Sequence, residues 1–145
     1  MYEVLGEGTK ILSARKKGEY LDIIGPLGNG FDDRQAGKIS GQKTILVAGG
    51  IGVAPVFFLA SKIKAKNKIV LIGAKTKKQV LCEKEFKNSG CDVKIATDDG
   101  SAGFKGRVTD LLKSMLPALD YRLAILYACG PKHMLKAVSY IAEKN

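Results

Sequence analysis

Three short segments of this chain combine residue types that suit a charged ligand bearing sugar hydroxyls. They are AGGIG at residues 48–52, TDDGS at residues 97–101 and ACGP at residues 128–131. Glycines at the start of a helix leave backbone amides free to bind an anion such as a pyrophosphate. Adjacent carboxylates accept hydrogen bonds from sugar hydroxyls, and a thiol near a helix N-terminus is polarised. These segments are therefore suited to phosphate, ribose and a ring stacked on the small Gly-Pro surface.

The glycine segment has two explanations. Gly49, Gly50 and Gly52 follow a short apolar run at residues 45–48, and residues 53–64 then show a helical pattern. This order is typical of a buried strand that turns directly into a helix. The spacing matches neither the GxGxxG dinucleotide fingerprint nor the GxxxxGK[ST] phosphate loop, so neither mechanism can be transferred. A tight structural turn and an anion-binding site both stay open for this segment by itself.

Strands alternating with helices occupy the chain from Thr44 onward. After the strand at 45–48, the pattern predicts strands over 68–74, 92–97 and 122–128, and helices over 53–64, 79–88, 107–116 and 133–143. Four consecutive strand–helix units indicate an α/β fold, a doubly wound parallel sheet with helices on both faces. With the Rossmann-like strand order 3-2-1-4, the three segments meet at the carboxyl edge of the sheet, where open α/β sheets bind ligands.

Asp98 and Asp99 follow the third predicted strand. In a dinucleotide laid across the sheet, the adenosine ribose would lie at this position. A carboxylate accepts hydrogen bonds from a 2′-hydroxyl and repels a 2′-phosphate, so the pair favours NAD over NADP. The alternative is an Asp-Asp-Gly turn that only terminates the strand.

Cys129 differs from the other two cysteines because it ends a buried strand and precedes Gly130 and Pro131. Cys82 and Cys91 are simply interpreted as a helix residue and a turn residue. Three cysteines without CxxC spacing, and a single histidine, indicate neither a disulfide framework nor a metal site. At the start of the last helix, His133 is expected to be exposed and Met134 to pack in the core.

The first part of the chain has a different pattern. Residues 1–34 are rich in glycine, with short β-like pieces at 2–5 and 20–24, and are interpreted as the end of a β-barrel or a β-rich lead-in, too short to close a barrel by itself. The polar residues 35–43 are predicted to form a linker, and residues 44–145 the α/β domain.

Composition limits the other functional classes. The 145 residues are 46% hydrophobic and 26% charged, which is typical of a globular protein. No apolar run reaches the roughly 20 residues that span a bilayer, and the N-terminus lacks a signal-peptide pattern, so we expect a cytoplasmic protein without a membrane partner. The net charge of +10 comes largely from lysines. Because these lysines are not interleaved with aromatic residues, a solvated basic face is favoured over a nucleic-acid surface.

Five motifs together resemble the ferredoxin-NADP reductase superfamily. Within it they are similar to the family of electron-transfer subunits of NAD-dependent (type B) dihydroorotate dehydrogenases. The motifs are GPLGNGF, AGGIGVAP, GAKTKKQVLCEKEF, TDDGSAGFKGRVTDLL and YACGPKHMLKAV. They cover nearly the whole chain in the right order. The resemblance implies an oxidoreductase that passes electrons between NAD and an FMN-containing dihydroorotate dehydrogenase catalytic subunit in pyrimidine biosynthesis.

The resemblance also implies cofactors and residue roles. The family subunit carries FAD in an N-terminal β-barrel and a [2Fe–2S] cluster on four cysteines in a C-terminal segment. Matched residue by residue, the resemblance implies four parts of a binding site in this chain. They are the turn under the pyrophosphate and the nicotinamide ribose, the pair of residues at the adenosine ribose, the motif beside the nicotinamide, and the end of the flavin domain. The residues are, in that order, Gly49, Gly50, Gly52, Val53 and Pro55; Asp98 and Asp99; Cys129 as the catalytic candidate with Gly130 and Pro131; and Gly25, Pro26, Leu27 and Gly28.

The chain departs from the family pattern in two ways. Most of the flavin barrel and all of the cluster cysteines are missing, so we expect these residues alone to bind NAD(H) weakly and to be inactive. Two alternatives stay open: part of an electron-bifurcating NADH-dependent ferredoxin:NADP oxidoreductase subunit, or a non-catalytic nucleotide-binding or docking module. Homo-oligomer and heterotetramer are both open as the assembly.

Overall fold

The computed structural model describes residues 2–118 and 123–144. The chain divides into two compact units, residues 1–31 and residues 32–145. The division falls three residues before the end of the predicted barrel remnant.

A parallel sheet and its helices make up the second unit. Its strands are β1 (Lys43–Gly49), β2 (Asn67–Ala74), β3 (Asp92–Thr97), β4 (Phe104–Lys105) and β5 (Ala124–Cys129). Its α-helices are α2 (Val53–Lys62), α3 (Glu83–Asn88), α4 (Val108–Met115) and α5 (Lys132–Glu143), and α1 (Glu7–Ser13) lies in the first unit. Short 3-10 turns occupy Gly50–Gly52, Lys77–Gln79 and Leu116–Ala118.

The sheet order is β4-β3-β2-β1-β5, and the strand pairs are parallel throughout. The predicted doubly wound α/β fold with order 3-2-1-4 is therefore confirmed. The difference is β4, a two-residue edge strand inside the segment predicted to be a loop. Phe104 pairs with Ala96 there, which extends the sheet by one short strand.

The buried core explains why the strand sequences are continuous runs of apolar residues. β1 is buried from Thr44 to Gly49 because neighbouring strands pair with it on both sides and helices cover both faces. On one face, strand side chains pack with α4 and α5 in a cluster. It contains Ile45, Val47, Leu71, Ala96, Val108, Leu111, Leu112, Met134, Val138 and Ile141. On the other face α2 packs on β1 and β5, and its Phe57 ring meets the fully buried Phe86 of α3 edge-on at 5.2 Å.

Most helix and strand boundaries differ from the predicted ones by a few residues. The largest difference is at residues 79–88, where only Glu83–Asn88 is α-helical and the chain first makes a 3-10 turn. Cys82 precedes α3 with a left-handed φ of 59°, which interrupts the helical pattern. Arg122, where the fourth strand was predicted to begin, lies outside the described residues.

The prediction of β-like pieces at 2–5 and 20–24 is wrong. Between residues 2 and 31 the structure assigns one regular element, the helix α1. Thr9 stabilises its start, since its Oγ1 accepts hydrogen bonds from the amides of Leu5 and Gly6 at 3.0 and 3.1 Å. A β-rich pattern becomes a strand only when another strand pairs with it, and the described part of this unit contains no such partner.

Candidate functional site

The carboxyl ends of four parallel strands bring the three chemistry-bearing segments to one edge of the sheet. Ala48 pairs with Cys129, Gly49 with Gly73, and Ala74 with Thr97. The AGGIG, ACGP and TDDGS segments each leave the sheet from this edge. The convergence expected from the strand order is therefore what the structure has.

Close backbone contact joins the glycine turn to the ACGP segment. A methyl group placed on Gly52 would lie 2.6 Å from the carbonyl carbon of Cys129 and 2.8 Å from the amide nitrogen of Gly130. One placed on Gly130 would lie 3.1 Å from the Cα of Gly49. Side chains at these positions would separate the two turns, so the glycines permit β1 and β5 to end against each other.

Gly50 has the opposite environment. It is exposed, its φ is +56°, and apart from Gly50 and its two chain neighbours no described residue comes within 4 Å of the position that a methyl group would occupy. The 3-10 turn at Gly50–Gly52 leads directly into the ten-residue helix α2, which begins at Val53 without a side-chain cap from any described residue. Pro55 in the first turn of α2 contributes no amide hydrogen. The opening at Gly50 and the N-terminus of α2 fit a diphosphate group.

The carboxylate of Asp99 is bound inside its own turn. Its Oδ1 accepts hydrogen bonds from the Ser101 hydroxyl at 2.6 Å and the Ser101 amide at 2.9 Å. These two bonds, the hydroxyl first, lower the pKa of Asp99 below its ordinary value. Asp99 thus has the side-chain hydrogen bonds of a turn, and its assignment to the ribose stays a prediction.

Asp98 differs from its neighbour. Its amide donates to the Ala74 carbonyl at 3.1 Å, while its exposed carboxylate has no hydrogen-bond partner among the described residues. Asp99 Oδ1 is bonded within the turn, whereas neither carboxylate oxygen of Asp98 has a hydrogen-bond partner among the described residues.

Cys129 is the last residue of β5 and is half-buried, and Pro131 precedes the twelve-residue helix α5. The two predictions for the start of α5 are confirmed, since Met134 is buried and His133 exposed. Met134 has a further role, because its sulfur would lie 2.6 Å from a methyl group on Gly49. Met134 thereby packs directly against the glycine turn.

The four candidate residues Gly25, Pro26, Leu27 and Gly28 lie in the first unit. All are exposed and belong to no regular element.

Ser101 and Lys77 are the residues of this region that the sequence reasoning missed. The Lys77 amide donates to Ser101 Oγ at 2.7 Å and so connects the loop after β2 with the loop after β3. An aspartate two residues before a serine is a turn signal that could have revealed the Asp99–Ser101 bonds. The bond to Lys77 joins residues 24 positions apart, and no local pattern predicts it.

Neither a metal nor a membrane is indicated by the described residues. Among residues 2–118 and 123–144 there is no group of three or more His, Cys, Asp and Glu side chains that could hold a metal ion. Burial raises the pKa of the Cys82 and Cys91 thiols, which favours their neutral forms. In the same part of the chain, no helix has the length and apolar character needed to cross a membrane.

Comparison with known families matches residues 46–140 to the oxidoreductase NAD-binding domain. Among curated proteins, the chain is 42% identical over 144 residues to the electron transfer subunit of dihydroorotate dehydrogenase B (NAD(+)) from Caldanaerobacter subterraneus subsp. tengcongensis. That alignment covers 99% of this chain and 53% of the relative. The protein of the same name from Geobacillus sp. is 45% identical over 142 residues, covering 95% of this chain and 52% of the relative. The chain thus spans about half the length of the curated relatives it matches.

Solved structures give the same fold. An NADH-dependent reduced ferredoxin-NADP oxidoreductase, studied for flavin-based electron bifurcation, aligns with a TM-score of 0.80 and 32% identity over 99% of this chain and 50% of its own. A flavohemoglobin from Malassezia yamatoensis aligns with a TM-score of 0.77 and 22% identity, over 98% of this chain and 38% of its own, which supports the fold alone. With its ferredoxin-reductase-like sheet and its match over residues 46–140, the chain belongs to the family of oxidoreductase NAD-binding domains.

Proposed function

We propose that this chain is the NAD-binding part of an electron-transfer subunit that passes electrons between an FMN-containing dihydroorotate dehydrogenase and NAD in pyrimidine biosynthesis. The observation that carries the proposal is 42% identity to subunits of that name across 99% of the chain. The curated relatives are nearly twice as long, so the complete activity, its substrates and its partner are part of the proposal.

The diphosphate of NAD is assigned to the turn formed by Gly49, Gly50 and Gly52 and to the first turn of α2, with Val53 and Pro55. Support comes from the left-handed, open Gly50 and from the uncapped start of a ten-residue helix. Backbone amides and the helix dipole would stabilise the negative charge there. A side chain at Gly50 would extend into the same opening.

The nicotinamide is assigned to Cys129, Gly130 and Pro131. These residues lie beside the glycine turn, with Cys129 paired to Ala48 across the sheet. Bound NAD(H) supplies or accepts a hydride, and the role of this chain is to hold the ring in position. The thiol of Cys129 and the flat Gly-Pro surface would limit how the ring can tilt.

The adenosine ribose is assigned to Asp98, with Asp99 beside it. The unpartnered carboxylate of Asp98 suits a 2′-hydroxyl and disfavours a 2′-phosphate, which makes NAD the expected cofactor. Asp99 contributes charge to the same turn while its oxygen stays bonded to Ser101.

We assign FAD and a [2Fe–2S] cluster to the subunit as a whole and not to the residues of this chain. Gly25, Pro26, Leu27 and Gly28 are assigned to the end of the flavin domain, next to the isoalloxazine. Cys82 precedes α3, Cys91 precedes β3 and Cys129 ends β5, and no group of ligands among the described residues fits a cluster. We therefore expect the 145 residues alone to bind NADH weakly and to catalyse no flavin-dependent NADH oxidation.

The alternative is an NADH-binding part of an electron-bifurcating oxidoreductase subunit. A specific observation favours it, namely the TM-score of 0.80 with a structure of that kind. The higher sequence identity favours the dihydroorotate dehydrogenase subunit. Assay of the full-length protein with dihydroorotate dehydrogenase and with ferredoxin as electron donors separates the two.

The test of the site is titration of the chain with NADH and NADPH, with two matched variants. Gly50→Glu places a carboxylate in the proposed diphosphate site and should weaken NADH binding by at least about tenfold through charge repulsion. Gly90→Glu is the control, since Gly90 is also exposed, left-handed at φ +75° and free of neighbours, but lies before β3 at the opposite edge of the sheet. Equal effects of the two substitutions would contradict the assignment. Absence of affinity for either nucleotide in the unsubstituted chain would leave only a docking role.

A further inference from the structure

Ser101 makes hydrogen bonds in two directions at the carboxyl edge of the sheet. Its hydroxyl accepts from the Lys77 amide at 2.7 Å and donates to Asp99 Oδ1 at 2.6 Å. Its own amide donates to the same Asp99 oxygen at 2.9 Å. We call these three groups, Lys77 N–H, Ser101 and the Asp99 carboxylate, the Ser101 bridge. The bridge connects two loops that are 24 residues apart in the chain.

Other bonds fix both sides of the acidic turn. The amides of Asp98 and Asp99 donate to the carbonyls of Ala74 and Lys75 at 3.1 and 3.2 Å. The buried Thr97 exchanges hydrogen bonds with the backbone of Ala102 at 2.8 and 3.0 Å. The backbone on either side of Asp98 is therefore held, while the Asp98 side chain is free.

The bridge also separates the roles of two adjacent carboxylates. Asp99 Oδ1 accepts two hydrogen bonds from Ser101, so the direction of the Asp99 side chain is set by the turn. Asp98 has no such bond among the described residues, and the backbone conformation decides where its carboxylate points.

We propose that Ser101 is a positioning residue for cofactor selectivity: it ties the β2 and β3 loops together so that Asp98, and not Asp99, discriminates between the 2′-hydroxyl of NADH and the 2′-phosphate of NADPH. The proposal rests on the proposed NAD-binding function and adds how the preference is maintained. Ser101 itself does not touch the nucleotide.

The experiment measures the dissociation constants of NADH and NADPH for five variants of the chain. Asp98→Asn removes the charge and should reduce the preference for NADH by about tenfold or more. Ser101→Ala removes both hydrogen bonds of the hydroxyl, to the Lys77 amide and to Asp99, and should reduce the preference by about fivefold. Ser101→Thr keeps the hydroxyl and should restore the preference.

Lys77 supplies a second, independent test from the other side of the bridge. Lys77→Pro removes the amide hydrogen at the first residue of a 3-10 turn, where proline is tolerated, and Thr76 before it already has the extended conformation that proline requires. Lys77→Ala is its control, because it removes the side-chain charge and keeps the amide. The proline variant should resemble Ser101→Ala, and the alanine variant should retain the preference of the unsubstituted chain.

Two results separate the inference from the function on which it rests. If the unsubstituted chain binds neither nucleotide, the proposed function fails and the inference fails with it. If the chain prefers NADH, but neither Ser101→Ala nor Lys77→Pro changes the ratio while Asp98→Asn does, the NAD site stands and the positioning role of Ser101 is wrong. A shift caused by Lys77→Ala as large as that of Lys77→Pro would also overturn it, because charge would then account for the effect.

Discussion

The two units of this chain use their apolar residues in opposite ways. In the second unit Leu46, Val47, Leu71 and Leu112 are completely buried. Between residues 2 and 30, every large apolar side chain except Leu12 is exposed, including Tyr20 at 99%. The hydrophobic content of both parts is ordinary, so composition does not explain the difference. Layering does, because strands followed by helices provide partners for each other's apolar faces.

The comparison shows which part of the described chain provides the stability of the fold. Burial of apolar surface drives folding, and the sheet with its helices supplies that burial. The helix α1 buries no residue and depends on local hydrogen bonds, such as those of Thr9. We therefore expect the free energy of unfolding to come almost entirely from residues 32–145.

The largest expected effect comes from a buried leucine of the second unit, compared with an exposed isoleucine of the first. Leu112→Ala should lower the free energy of unfolding by about 2–5 kcal/mol, because it leaves a cavity in the cluster between the sheet and α4. Ile24→Ala, at a side chain that is 85% exposed, should change it by less than about 0.5 kcal/mol. Urea denaturation followed by circular dichroism measures both. Similar losses would mean that the first unit has a core of its own.

A pair of glycines sharpens the comparison. Gly52→Ala should destabilise the chain by about 1–3 kcal/mol or more, since its methyl group would press on the backbone of Cys129. Gly8→Ala, within α1 and without neighbours at 4 Å, should leave unfolding unchanged or favour the helix by roughly 0.5–1 kcal/mol. Thermal and urea unfolding of the two variants give the values. A stable Gly52→Ala protein would show that the two turns can separate at little cost.

A smaller effect of opposite sign is expected at Thr44 in β1. Its hydroxyl oxygen is buried without a hydrogen-bond partner among the described residues. Thr44→Val should therefore raise the free energy of unfolding by about 1 kcal/mol, because an unsatisfied polar group is removed. Thr44→Ser is the control; it keeps the hydroxyl and loses a methyl group, at a cost of about 1 kcal/mol. A loss of stability in the valine variant would indicate that the hydroxyl has a bonding partner.

The smallest expected effect is a pH dependence of the stability, caused by an ion pair at the first residues of the second unit. Arg34 bonds both oxygens of Asp32 at 2.8 Å and lowers the pKa of that carboxyl from 3.8 to about 2. A lowered folded-state pKa gives a contribution that is complete above pH 3.8 and is lost as the pH falls toward about 2. Because both groups are exposed, the contribution is small and weakened by salt.

Arg34→Gln should flatten the decline of the denaturation midpoint between pH 5 and pH 2, which are about the limits of this titration. Arg15→Gln is the matched control in the first unit, where Arg15 pairs with the exposed Glu19 at 3.2 Å. It should leave the decline unchanged, since that unit contributes little to cooperative unfolding. A larger change from Arg15→Gln would contradict the contrast between the units.

Much of the fold and the general place of the candidate site followed from the sequence. Apolar runs such as 45–48 predicted buried parallel strands, and the Rossmann-like strand order 3-2-1-4, on which the predicted convergence depended, is the order observed. Since parallel strands end at a common edge, AGGIG, TDDGS and ACGP had to converge there. These features depend on periodicity and chirality, which are local properties of the chain.

Tertiary structure decided the rest. Residues 2–5 and 20–24 have a β-like pattern and form no strand, because β-structure requires a paired neighbour. Gly52 approaches Cys129, and Lys77 bonds Ser101, across long separations in sequence. Asp98 and Asp99 are residues of the same type, yet the Asp99 carboxylate is bonded to Ser101 and the Asp98 carboxylate has no bond among the described residues. The sequence alone determined which residues reach the edge of the sheet, and the contacts of the folded chain, both local and long-range, determined how those residues are bonded there.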